Sequence, residues 1–423
     1  MIRVAGIADS PKLQTGFGNV ARELFKGFNE EFDFSAFGIL DWQPDFQKQL
    51  PYAFYPADQF SLMGFGASST DFIKQLEPDI VWIMIDPGNL TKWVVELGKL
   101  NVEMSEYGKG FKVIAYPPIE GEPVSKMQML GIKTILKHGG DVVLWCKAAQ
   151  EAVARASDLN LDFIYFGNDH ADFKPQDTTE LRKKLGLHDT FLVGSVGVNK
   201  RTKGFPTLIY AAQELKNRGV NDVTFYCHTN AHHPTMQGYR LLEMAETYGV
   251  EDMFVWKDDI RNNMYQGVAY SNDTFDHLDD IEINTPEKWT SLWNSLDYIT
   301  RVNCLDLYVD VSQVEGWGLP VAEAMACGIP VVTPIDHGVR SEVFAEGVYS
   351  YPPTPRRTWD TWHTGVRLVG VDSDVVADVI IEMKDNPELR SLYSKKGMEH
   401  MKQFTWNKAR KAMNQRVRNL YDS

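Results

Sequence analysis

Residues Val314–Val332 read VEGWGLPVAEAMACGIPVV. The apolar run Leu307–Val311, with Ser312 behind it, leads into Glu315-Gly316-Trp317-Gly318-Leu319-Pro320 as a strand leads into a turn. A helix from about Pro320 follows, with Pro in its first turn and Gly328 placed to end it. The glycines let backbone N–H groups approach a ligand closely. The helix N-terminus adds positive dipole character aimed at the same point, which suits a phosphate. Glu315 lies in the loop and Glu323 is expected in the first helical turn, with seven residues between them, so the two carboxylates can address different parts of one ligand.

Outward from this block, short apolar runs alternate with helical patterns along the whole chain. The predicted strands are Arg3–Ala8, Asp33–Leu40, Ile80–Ile85, Lys112–Tyr116, Asp141–Trp145 and Asp162–Tyr165, then Phe191–Val196, Asp222–Cys227, Met253–Trp256, Leu307–Val311 and Pro330–Thr333. Most are continuously apolar, as strands covered on both faces by helices are. Such alternation predicts α/β architecture with doubly wound parallel sheets, and it occurs twice. The polar stretch Gln176–His188 separates the two sets, with a short helix at Thr179–Lys184. The expected organisation is a Rossmann-like domain over 1–174, a second over 189–405, and a last helix over 406–423. Residues Ile260–Lys288 break the rhythm with a long polar stretch, either an insertion near a binding cleft or a surface excursion.

The composition fits a globular enzyme and excludes collagen-like, disordered and disulfide-scaffold classes: 43% hydrophobic and 24% charged residues over 423 positions. The net charge of −14 argues against a dedicated nucleic-acid coat or an extended membrane-surface binder. The exception is the C-terminal stretch, where Lys408, Arg410, Lys411, Arg416 and Arg418 face Asp422 alone. Cys146, Cys227, Cys304 and Cys327 form no CxxC pair and read as reduced core thiols. MIRVAGIADSPK reads as a first strand rather than a signal peptide, and no apolar run approaches the roughly 20 residues of a membrane span. A cytoplasmic protein is expected.

The EGWGLPVAEAMACGIPVV block resembles the E-x7-E signature of family 4 retaining glycosyltransferases, which have the GT-B fold. The resemblance implies two Rossmann-like domains facing across a cleft, with the last helix crossing back to the first. It gives Glu315 a contact to the donor sugar, Gly316, Trp317, Gly318 and Leu319 the loop that binds sugar and diphosphate, and Glu323 the ribose. Ser195–Leu215 (SVGVNKRTKGFPTLIYAAQEL) resembles the segment in which an arginine and a lysine grip the diphosphate. Lys203 takes the lysine position before Gly204. The arginine position is Val198, a departure that leaves Arg201 or Lys200 to supply the missing charge. Fixed cations there lower the barrier as charge develops on the leaving phosphate. Gly16 and Gly18, in a turn after the first strand, resemble the loop through which such enzymes approach donor phosphate and acceptor.

Other residues carry weaker signals. In Ala115–Val124, where many members of the family have a histidine, Glu120 or Glu122 would meet a sugar hydroxyl, or the segment is a proline-stiffened loop. Asn168-Asp169-His170 read as a polar hinge turn and not as a general base. Asp372-Ser373-Asp374 matches a metal-binding DxD, but Asp372 or Ser373 reads as a helix cap. His228, His232 and His233 have poor zinc spacing. The last helix presents either a solvated basic face or a contact for an anionic acceptor or lipid surface.

The implied reaction moves a hexose or pentose from a nucleoside-diphosphate sugar to an acceptor hydroxyl with retention, without an essential metal or other cofactor. The acceptor classes left open are glycan, lipid carrier, small molecule, protein and hydroxymethylated DNA base. A GT-B nucleotide-sugar epimerase and a phosphorylase are disfavoured by the E-x7-E block, while the departure at Val198 leaves a non-catalytic sugar-nucleotide binding module open. A dehydrogenase fits least, since no GxGxxG follows the first strand.

Overall fold

The computed structural model describes the chain apart from residues 14, 41–49, 58–65, 86, 232–237, 258–292, 294, 336–337 and 360–364, and the side chains of 87 and 355–359. It divides into two compact units: 1–167 with 359–367 and 404–423, and 168–358 with 368–403. The division falls after Gly167, earlier than the junction expected between Phe173 and Asp189. The reason lies in the side chains. Buried Asn168 donates to Ala322 O at 3.3 Å, and Gln176 N donates to Asn303 Oδ1 at 2.8 Å, so the segment is tied into the second unit.

The first unit is a seven-stranded sheet: β1 Arg3–Asp9, β2 Asp33–Ile39, β3 Ala53–Pro56, β4 Ile80–Ile83, β5 Lys112–Ala115, β6 Asp141–Leu144 and β7 Asp162–Phe163. The order is β3-β2-β1-β4-β5-β6-β7, with every pairing parallel. Val4, Ile7, Val81, Trp82 and Ile83 are fully buried, because a parallel sheet needs helices on both faces. Helix Trp406–Asp422 packs on helix Gly16–Glu31 in this unit. A Cβ on Gly27 would lie 2.9 Å from Arg410 Cβ, and Asn414 Nδ2 donates to Gly27 O at 3.0 Å.

The second unit is a six-stranded parallel sheet: β8 Phe191–Val196, β9 Val223–His228, β10 Phe254–Lys257, β11 Leu307–Val309, β12 Val331–Pro334 and β13 Tyr349–Tyr351. Its order is β10-β9-β8-β11-β12-β13. Two further strands, β14 Thr354–Trp359 and β15 Arg367–Gly370, pair as a ribbon. In each sheet the order reverses after the first strand. That is a topological switch point, the place where open α/β sheets bind ligands at the carboxyl ends of their strands.

Most strands end one or two residues before the expected limit. Of the strands not expected from the sequence, β3 and β13 are sheet edges with only four and three residues, and β14 and β15 form the separate ribbon. The stretch 260–288 lies outside the described residues.

Candidate functional site

The switch point of the second sheet lies between β8 and β11, which pair at Leu307↔Val193. One loop leaves each strand here. After β8 the chain runs through a 3-10 turn, Arg201–Lys203, to Gly204, which caps helix Phe205–Asn217 with φ +67°. A Cβ on Gly204 would stand 2.1 Å from Val311 O, so only glycine lets this turn touch the end of β11. Gln313 N donates to Thr202 O at 2.7 Å and joins the two loops. Fully buried Asn199 holds the first loop from behind: its amide donates to Asn230 O at 2.8 Å and Tyr239 O at 2.7 Å.

This joining brings Lys203 Nζ onto Glu315 Oε1 as an ion pair whose side chains are 20% and 14% exposed. Burial pushes the Glu315 carboxyl up. The Lys203 ammonium, a hydrogen bond with Ser312 and the charge of Arg340 outweigh it and hold the group below the ordinary carboxylate range. Beneath the loop, Asp310 accepts from Ser312 N at 2.9 Å and from Thr333 Oγ1 at 2.8 Å. Arg340, 2% exposed, spans Asp310 Oδ2 and Ser312 O.

Gly318, with φ +97°, caps helix Leu319–Ala326. The helix therefore starts at Leu319, and Glu323 is its fifth residue, past the first turn where the sequence placed it. Glu323 is 8% exposed and accepts from Tyr298 OH at 2.7 Å on Oε2. Burial pushes its carboxyl up to about 7, against the lowering effect of the Tyr298 hydrogen bond. One loop–helix segment thus carries a firmly ionised carboxylate beside an ammonium and a second carboxyl poised near neutrality.

Lys203, Glu315, Gly316, Trp317, Gly318, Leu319 and Glu323 all lie in this unit, on the two loops and the helix that follows. Trp317 is 2% exposed and meets Phe344 edge-on, so the loop presents its backbone and not the indole. Arg201 is exposed on the turn, and Val198, at the vacant arginine position, is 48% exposed. Gly16 and Gly18 lie in the first unit, at the start of helix Gly16–Glu31. Thr15 Oγ1 accepts from Gly18 N at 2.9 Å, and a Cβ on Gly18 would stand 2.7 Å from the carbonyl oxygens of Ser10 and Leu13.

The residues with weaker signals fall as follows. In the polar turn Asn168-Asp169-His170, Asn168 is buried. Glu122 is paired with Arg155 at 2.6 Å. Asp372 stands at the cap position of helix Ser373–Asp385. His228 ends β9 with Nδ1 2.7 Å from Tyr226 OH, while His232 and His233 lie outside the described residues. The basic last helix is no uniformly solvated face: Arg410 pairs with Glu23, Arg416 with Asp141 and Asp162, and Arg418 with Glu31. The four cysteines are buried and form no disulfide. Among the described residues no cluster of three metal-binding side chains occurs, and no helix is long and apolar enough to cross a membrane.

Sequence reasoning missed Tyr298, Arg340, Asp310 and Asn199. None sits in a spacing motif. Tyr298 alone had a local signal, since Asp297 before it caps helix Tyr298–Asn303 by accepting from Thr300 N at 2.8 Å.

Comparison with known proteins agrees with this architecture. Residues 290–400 match the family model of glycosyl transferases group 1. No curated protein sequence matches the chain. Among solved structures, the chain is similar to Anabaena HepE in complex with UDP and glucose, with 15% identity, 99% of each chain covered and a TM-score of 0.68. It is also similar to sucrose-phosphate synthase from Thermosynechococcus elongatus, with 16% identity, 100% of each chain covered and a TM-score of 0.69. A glycosyltransferase from Rickettsia africae covers 100% of this chain and 99% of its own at 13% identity, with a TM-score of 0.65. The chain has the GT-B fold, and its residues 290–400 match the model of the glycosyl transferases group 1 family.

Proposed function

We propose that this protein is a metal-independent retaining glycosyltransferase that takes a sugar from a nucleoside-diphosphate donor, with a uridine diphosphate hexose the first candidate. The observation that carries the reading is the Lys203–Glu315 pair at the switch point, with Glu323 on the helix behind it. A buried ammonium and carboxylate that neutralise each other can exchange partners when a ligand brings both a diphosphate and hydroxyls. Lys203 then faces the diphosphate and Glu315 accepts from the sugar. The backbone of Gly316–Leu319, at a helix N-terminus, adds donors toward the phosphate oxygens. Glu323 accepts from the ribose diol, and Arg201 on its exposed turn adds the second cation in place of the residue at Val198.

In the reaction, the bond from the anomeric carbon to the diphosphate oxygen breaks and a bond to the acceptor oxygen forms on the same face. The acceptor proton passes to the departing phosphate oxygen. The transition state is oxocarbenium-like, as in glycoside hydrolysis. Lys203 and Arg201 stabilise the leaving charge, a task a fixed cation performs without reorganisation. No general base is required. The first unit, with its Gly16–Gly18 turn, takes the acceptor.

The test is proton NMR of the sugar released or transferred from UDP-glucose, with and without EDTA. The same anomeric configuration in donor and first-formed product, unaffected by EDTA, supports the reading. An inverted product or EDTA-abolished turnover refutes it.

A further inference from the structure

The hydrogen bond on Glu323 comes from a residue outside every motif in the sequence. Tyr298 OH donates to Oε2, and Tyr298 is itself fixed on several sides. Asp297 caps its helix, the His228 ring stands edge-on at 5.1 Å, and Phe173 lies at 6.2 Å. His228 is held in turn by Tyr226, and Tyr226 packs on Trp293 at 4.9 Å. The other oxygen of Glu323 has no partner among the described residues. We infer that Tyr298 is a positioning residue for donor recognition: its hydroxyl holds one oxygen of Glu323 so that the other is presented to the vicinal diol of the donor's ribose. This rests on the donor reading above.

The titratable groups facing Glu323 are Tyr298 on its helix, Tyr308 on β11 and Cys327 at the end of the Glu323 helix, all uncharged in their ordinary state. His228 and Tyr226 face Tyr298 from β9. Burial and the Glu323 charge push the Tyr298 hydroxyl well above its usual range, so it remains a donor at any working pH. A diol donates both hydroxyls to the ionised carboxylate. Donor binding therefore weakens as pH falls through the carboxyl's titration, approaching about tenfold per pH unit.

The experiment compares wild type, Tyr298→Phe and Glu323→Gln. Difference infrared spectra against Glu323→Gln isolate the carboxylic-acid stretch of Glu323 without any ligand. The wild-type band should titrate near neutrality and move up by about one pH unit in Tyr298→Phe, the value of one hydrogen bond to a charge. The pH at which the UDP-glucose KM begins to rise should move by the same amount, with the loss falling on KM more than on kcat. Thermal melts of Tyr298→Phe confirm that the variant is folded. An unchanged infrared midpoint overturns the inference and leaves the donor reading standing. A shifted midpoint in a wild type that binds no nucleoside diphosphate overturns the donor reading, and the inference with it.

Discussion

Replacing Glu323 with glutamine should make the ligand-free protein more stable at alkaline pH while abolishing donor binding. Glu323 is 8% exposed, and among the described residues its hydrogen-bond partner is Tyr298. Its carboxyl rises from 4.5 to about 7 in the fold, some two and a half units at about 1.4 kcal/mol each, or about 3 kcal/mol. Because the folded value exceeds the unfolded one, the folded state binds more protons between pH 4.5 and 7. Stability from this group is therefore intact below pH 4.5, falls across that window, and stays at its low level above it. The amide keeps an oxygen for Tyr298 and removes the charge. Its own N–H groups need partners, so about 3 kcal/mol is a ceiling. Calorimetry from pH 4.5 to 8 reads the effect on the second unit's transition. The variant should match wild type at pH 4.5 and melt several degrees higher at pH 8, given roughly 2–4 °C per kcal/mol for a unit of this size. A variant no more stable than wild type at pH 8, or equally stabilised at both ends, refutes the reasoning.

Lys203→Met should cost about 3 kcal/mol at alkaline pH, since it strands the largely buried Glu315 carboxylate, and less at acidic pH, where a proton removes the stranded charge; denaturant melts at the two extremes check this. The double variant Lys203→Met/Glu315→Gln should regain most of that stability but not turnover. Gly204→Ala forces φ +67° on a residue whose Cβ would stand 2.1 Å from Val311 O, so it should lower the second unit's melting temperature and raise donor KM. Arg416→Ala removes contacts to Asp141 and Asp162 and should destabilise the first unit by about 1 kcal/mol, less in high salt, without altering donor binding in titration calorimetry.

The central strands of both sheets were legible because burial on both faces leaves a continuous apolar run, as in Phe191–Val196. Two of the edges were not: Ala53–Pro56 and Tyr349–Tyr351 are short and only partly covered. Glu315, Glu323 and Lys203 stand out from spacing around glycines, since the glycines are forced by backbone approach. Their supports do not. Tyr298 reaches Glu323 across 25 residues, and Arg340 reaches Asp310 across 30, so each contact exists only after the sheet has formed. The helix start was read one residue late, which left Glu323 in the first turn, because the cap residue, Gly318, acts through a left-handed backbone and not through a side chain. The basic last helix reads alike whether solvated or paired; its acidic partners Glu23, Glu31 and Asp141 lie hundreds of residues away.

The most direct test is a thermal-shift titration of wild type and Lys203→Met with UDP-, GDP-, ADP- and dTDP-sugars, in parallel with release of the nucleoside diphosphate. One nucleotide should stabilise wild type and turn over, and both effects should disappear in Lys203→Met. Wild type stabilised by none of the four, or Lys203→Met bound and turning over as well as wild type, would overturn the donor assignment.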